Sequence, residues 1–182
     1  KRIALLLNGL FVLLACTASA QEPKLELENG QAGNLVAFGE RVSVGVMLPT
    51  AQKASWRVQD WRGTEVAQGT SKLTGGKGTI TLERLPRGYY EVTLSGTKPA
   101  AKLAFAVVTD RSKDTQSTHL SIDGATAWLE RGGRHDELAA MLRMIGIGWI
   151  RERFSWSATE PQKNNVKWLQ YDAVADIYAK HG

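Results

Sequence analysis

The residues with chemistry to offer gather in one stretch, Gly146–Glu160, GIGWIRERFSWSATE. Arg151 and Arg153 supply guanidinium groups, Trp156 an indole and Glu160 a carboxylate. Upstream, His119 and Asp123 bound the short run HLSID. A guanidinium can orient a carboxylate and keep it ionised, or form a structural salt bridge to a carboxylate on a neighbouring strand. Both roles are open for Arg151. Trp156 can stack on a sugar ring or plug its loop. Asp123 and His119 are candidates to line a cleft, although a lone His in such a place also serves as a hydrogen-bonded structural residue. Glu160, directly before Pro161, reads as a loop residue that holds backbone and not as an acid. Arg153 shares a pleat face with Arg151 by parity. Two adjacent inward cations repel, so Arg153 is expected to bridge toward the rim.

These residues need elements to carry them. His119–Asp123 reads as a short strand, Ala125–Gly133 as a loop, and the apolar spacing of Leu138, Met141, Leu142 and Ile145 as a helix. Asp136 and Glu137 suit the first turn of that helix, Arg143 the last, and Gly146 the stop. Ile147–Phe154 is expected to be a buried strand, Trp156–Asn165 a loop, and Leu169, Ala173, Val174, Ile177 and Tyr178 the stripe of a second helix. Strand, helix, strand, helix demands a parallel sheet with right-handed crossovers. Its longer loops follow the C-terminal ends of the strands, which is the functional face of such sheets. No G-x-G-x-x-G follows either strand, so a dinucleotide site has no support.

The first half of the chain carries a different pattern. Val42, Val44, Val46 and Leu48 alternate with polar residues; Trp56 with Val58, Ile80 with Leu82, Tyr90 with Val92 and Leu94, and Leu103 with Phe105 and Val107 do the same. Turn residues at Asp60–Gly63 and Pro86–Gly88 punctuate them. Six or seven short strands at this spacing suggest an all-β immunoglobulin-like sandwich of ~100 residues. Alternation leaves Trp61 and Tyr89 as the exposed aromatics, candidates for sugar binding or for an edge. Thr109–Thr118, TDRSKDTQST, is polar and aperiodic and marks a boundary.

Hydrophobic residues make up 43% and charged residues 23%, values that describe a globular chain. Lys1-Arg2, an apolar run Ile3–Ala15 and Ala18-Ser19-Ala20 together read as a secretory signal. The run is too short to span ~30 Å of bilayer. Leu13-Leu14-Ala15-Cys16 also resembles a lipoprotein box with Cys16 as the lipidated residue; cleavage after Ala20 is the preferred reading. Removing Lys1 and Arg2 lowers 23 basic residues to 21 against 18 acidic, a balance of +3 with no basic run, which argues against a nucleic-acid partner. Cys16 is the only cysteine, so after cleavage no disulfide, thiolate metal site or Cys nucleophile remains. No metal or cofactor is expected.

The order Gly146, Arg151, Trp156, Glu160-Pro161, Lys167-Trp168 and Tyr171-Asp172 resembles the second β/α unit of clan A glycoside hydrolases. It is closest to the groups around β-xylosidases, α-L-iduronidases and family five endoglycanases. A Gly often found after the Glu-Pro is replaced within Gln162–Asn165. The resemblance runs from Thr118 and is best over Gly146–Gly182. It implies an N-terminal sandwich followed by the first two β/α units of a truncated (β/α)8 barrel, with an oligo- or polysaccharide as substrate. It further implies retaining hydrolysis by two carboxylates ~5 Å apart, at the ends of strands four and seven. Those positions lie beyond Gly182, so no catalytic residue is assigned here. If Ile150 faces the helices, Arg151 points into the barrel mouth toward the nucleophile. The expected organisation is a signal peptide at 1–20, an accessory sandwich at 21–108, a linker at 109–117 and the opening of the barrel at 118–182. Export would place the protein outside the cell or in the periplasm, with a lipid anchor through Cys16 as the other route. The rival reading is a non-catalytic carbohydrate-binding or surface protein with a degenerate barrel.

Overall fold

The computed structural model describes residues 22–97, 100–114, 120–130 and 132–182. Cys16, His119 and the expected signal peptide therefore lie outside the described residues. Eight strands come first: β1 (Lys24–Leu27), β2 (Leu35–Ala37), β3 (Val42–Met47), β4 (Lys53–Asp60), β5 (Glu65–Lys72), β6 (Lys77–Leu82), β7 (Gly88–Leu94) and β8 (Lys102–Val108). After them come β9 (Ser121–Asp123), α1 (Thr126–Leu129), α2 (His135–Met144), β10 (Trp149–Arg151), α3 (Trp156–Thr159) and α4 (Leu169–His181).

The period-two residues build two facing sheets, one ordered β1-β3-β6 and the other β2-β8-β7-β4-β5. Val42, Val44 and Val46 from β3 and Ile80 and Leu82 from β6 meet Ala54, Val58, Tyr90, Val92, Leu94, Phe105 and Val107 from the other sheet, all buried. Alternation puts every one of these side chains on an inner face, which is why the polar residues between them cost nothing. Tyr90 stacks on Phe105 at 5.4 Å and donates its hydroxyl to the Pro86 carbonyl at 2.8 Å. That is the tyrosine corner of immunoglobulin-like sandwiches. Val66 is exposed, because β5 is an edge strand.

Beyond the sandwich, β9 and β10 pair in parallel, Ser121 with Trp149, Ile122 with Ile150 and Asp123 with Arg151. A parallel pair needs a crossover, and α1 and α2 provide it. The expected strand Ile147–Phe154 is shorter, and it is not buried: Trp149 is 63% exposed and Arg151 lies open. A parallel sheet is normally covered on both faces; here two strands and the helices cover one. The four-residue helices α1 and α3 occupy stretches expected to be loops.

The sandwich meets α2 through the turn Ala32–Asn34. Gly33 donates its N–H to Glu137 Oε1 at 3.1 Å; its φ of 70° favours glycine, and an added Cβ would press on Met141 Sδ at 2.6 Å. Arg111 N–H reaches the Met144 carbonyl at 2.9 Å, and Arg143 donates to the Asp114 carbonyl at 3.0 Å.

Ile80 is fully buried in the sandwich core. Truncation to Ala is expected to destabilise the protein by about 2–5 kcal/mol. Val66→Thr on the edge should stay within about 0.5 kcal/mol. Urea unfolding followed by tryptophan fluorescence would separate the two.

Candidate functional site

At the C-terminal ends of the paired strands, the register places Asp123 opposite Arg151. Parity then turns Ile122 and Ile150 to the other face. An added Cβ at Gly124 would lie 2.7 Å from Ile150 Cδ1, so a larger residue there would push that side chain aside. Arg153 grips Asp123 with two bonds, Nε to Oδ1 at 3.1 Å and Nη2 to Oδ2 at 2.5 Å. Arg151 Nη1 stands 3.9 Å from the same Oδ2 with its side chain 75% exposed. Two cations thus converge on one carboxylate, and the Arg153 fork is the tighter partner. The hydrogen bond from Arg153 holds the Asp123 carboxyl below its ordinary value, and the charges of Arg153 and Arg151 add to this. The same contact raises Arg153 further.

Behind this face lies a second carboxylate, Glu152. It accepts from Thr126 N–H at 3.0 Å, from the Thr126 hydroxyl, and from Ala127 N–H at 3.3 Å. The Thr126 hydroxyl also meets Tyr178 Oη of α4 at 2.6 Å. Burial pushes the Tyr178 phenol up, with the Glu152 charge contributing. Ala125, just before α1, has a φ of 48°. A non-glycine residue in that region is strained by about 1 kcal/mol or more and persists only where its surroundings fix it. Glu152 fixes it by satisfying the first N–H groups of α1.

Beside the charged group stands a set of aromatic rings. Phe154 lies edge-on to Trp168 at 5.7 Å and to Tyr171 at 5.8 Å, and Trp156 edge-on to Trp168 at 6.4 Å. The Tyr171 hydroxyl accepts from Trp128 Nε1 at 3.2 Å and from Ser155 N–H at 2.9 Å, tying α1, α4 and the strand end together. Phe154 and Trp156 remain more than half exposed. Glu160 lies apart from the charged group and accepts from Asn164 N–H at 2.7 Å. Of the residues singled out in the sequence, Asp123 and Arg151 are brought together, Trp156 stands in the aromatic set, and Glu160 holds its own loop. Glu152, Thr126 and Tyr178 carry no sequence signal that would single them out, since their contacts exist only once the crossover is packed. Among the described residues, no group of three or more His, Cys, Asp and Glu is placed to hold a metal ion, and no helix is long and apolar enough to cross a membrane.

No family model matches the chain, and no curated protein matches it. Among solved structures, a CARDB domain from Pyrococcus furiosus is 13% identical over 49% of this chain and 93% of that one, with a TM-score of 0.31. A β-glucosidase from Listeria innocua is 16% identical over 47% of this chain and 16% of that one, with a TM-score of 0.28. A β-glucuronidase from Ruminococcus gnavus, in complex with uronic isofagomine, is 11% identical over 88% of this chain and 34% of that one, with a TM-score of 0.31. At such scores these likenesses assign neither a family nor an activity.

Two outcomes follow from the charged pair and the capping carboxylate. Asp123 should titrate below the usual ~3.9 of aspartate. A depressed folded-state value means its contribution to stability is complete above the unfolded value and is lost as pH falls through the folded one. Carboxyl-carbon NMR should show this, with the value returning upward in Arg153→Ala. Glu152→Ala leaves the first N–H groups of α1 without their acceptor and should cost about 1–3 kcal/mol locally. Faster hydrogen exchange at Thr126 and Ala127 would report it; unchanged exchange there would contradict the capping role.

Proposed function

We propose that this chain is the opening part of an exported glycoside hydrolase acting on O-glycosidic bonds of an oligo- or polysaccharide. In this reading residues 1–20 are the export signal, 21–108 an accessory sandwich, 109–117 a linker, and 118–182 the first two β/α units of a (β/α)8 barrel. The observation that carries it is the parallel register that sets Asp123 beside Arg151 at the C-terminal ends of both strands, next to a set of exposed aromatic rings. In barrel enzymes that face holds the chemistry. Arg151, loosely held and largely exposed, is suited to orient a carboxylate from a later strand and keep it ionised. Phe154, Trp156 and Trp168 offer apolar surface to the face of a pyranose ring. The open face of the two-stranded sheet supports further strands, since parallel sheets are covered on both sides.

The test is the reading frame past the Gly182 codon. About 200 further residues, with carboxylates ending a fourth and a seventh strand, are expected. The full product should hydrolyse an aryl glycoside, and Arg151→Ala should lower kcat about 10²-fold. A frame that continues without those carboxylates makes a non-catalytic carbohydrate-binding protein the better account. A stop at Gly182 overturns the proposal.

A further inference from the structure

The outer face of the β4–β5 ribbon is built unlike the rest of the sandwich surface. Ala54, Trp56 and Val58 point inward, so Lys53, Ser55 and Arg57 point out, opposite Lys72, Thr70 and Gln68 of β5. All six are exposed. Lys53 and Lys72 thus occupy one rung directly across from each other, an arrangement that destabilises a sheet by repulsion. The next rung on this face pairs two hydroxyls, Ser55 Oγ and Thr70 Oγ1, at 3.2 Å. Arg57 follows, ~13 Å along the strand from Lys53. Neither lysine nor Arg57 takes part in an ion pair among the described residues. Glu91, the acid on neighbouring β7, is engaged by Lys102 at 2.8 Å, and Glu65 faces Gln59 one rung beyond Arg57, at the other end of the face from Lys53 and Lys72.

The Lys53–Lys72 end of this face opens into a groove of about 720 Å³ lined by Gln52, Lys53, Thr70, Lys72, Leu73, Thr74 and Gly75, with Arg57 outside it. Its polar lining is ammonium, amide, hydroxyl and backbone, with no carboxylate. A lysine on an exposed edge strand is an ordinary guard against sheet-to-sheet pairing. That accounts for Lys72 on β5, and the pairing of β4 with β7 covers Trp56–Asp60 without reaching Lys53. Guarding an edge does not call for two cations on one rung, where they repel.

We propose that this face binds an acidic polysaccharide, whose carboxylates bridge Lys53, Lys72 and Arg57 while its ring hydroxyls meet Ser55, Thr70, Thr74 and Gln68. The face carries no aromatic ring for stacking a base, and only three cations, which disfavours a nucleic acid. It carries no exposed apolar side chain to enter a lipid surface. The site is independent of how residues 118–182 are read, so it stands or falls without the barrel.

Affinity electrophoresis of the full chain in gels containing polygalacturonate, dextran or duplex DNA tests it. Retardation by polygalacturonate, weakened by salt and absent with dextran, is expected. The double variant Lys53→Gln/Lys72→Gln should lower the affinity about tenfold, the loss of two exposed charge contacts. The variant should also melt no lower than the parent, because the repelling rung is gone. Absence of retardation, retardation indifferent to the double variant, or equal retardation by DNA would each overturn the assignment.

Discussion

Everything in the second half of the chain depends on the parallel register of β9 and β10. Parallel strands cannot be joined by a tight turn, so the chain must leave the sheet, form α1 and α2, and return. The rung Ile122–Ile150 then turns its side chains to one face, and the rung Asp123–Arg151 turns the opposite way. A slip of one residue would exchange the two faces, aiming the cations into the apolar side. The arginine fork on Asp123, the Glu152 cap and the aromatic set all sit at the end of the sheet that this register defines.

The two halves of the molecule solve the burial problem differently. The sandwich closes: two sheets share one core, and every inward position along β3, β4 and β7 is filled. The parallel pair does not close. Ile122, Trp149, Phe154 and Trp156 remain exposed. What holds the pair in place is α2, bound through Glu137 to the turn at Gly33 and through its last carbonyl to Arg111. The φ of 70° at Gly33 favours glycine there, and an added Cβ would have to displace the flexible Met141 side chain.

The alternating residues of β3, β6, β7 and β8 were legible because one-sided burial writes a period of two into the sequence. β5 was legible only as a return strand holding Val66; its extent was not, because an edge strand has only a weakly buried face and EVAQGTSK shows no clear apolar alternation. The helices of 118–182 announced themselves by apolar spacing, whereas α1 and α3 are single turns too short to show a period. Arg151 and Asp123 could be nominated from their place near strand ends. That Arg153 is the tighter partner of Asp123 could not, because β10 ends at Arg151 and the chain beyond it no longer follows strand parity. Glu152 escaped notice for a related reason: Thr126 lies 26 residues before it, Tyr178 lies 52 residues after Thr126, and the three meet only after the crossover has formed.

The proposed barrel requires β9 and β10 to belong to a larger parallel sheet. Residue-resolved hydrogen exchange of this chain tests it most directly. The account predicts that amides of β3 and β7 exchange only through global unfolding, while those of Ile122 and Ile150 exchange through local opening many times faster. Protection of Ile122 and Ile150 equal to that of the sandwich core would mean that the two-stranded sheet is complete in itself, and the claim would fail.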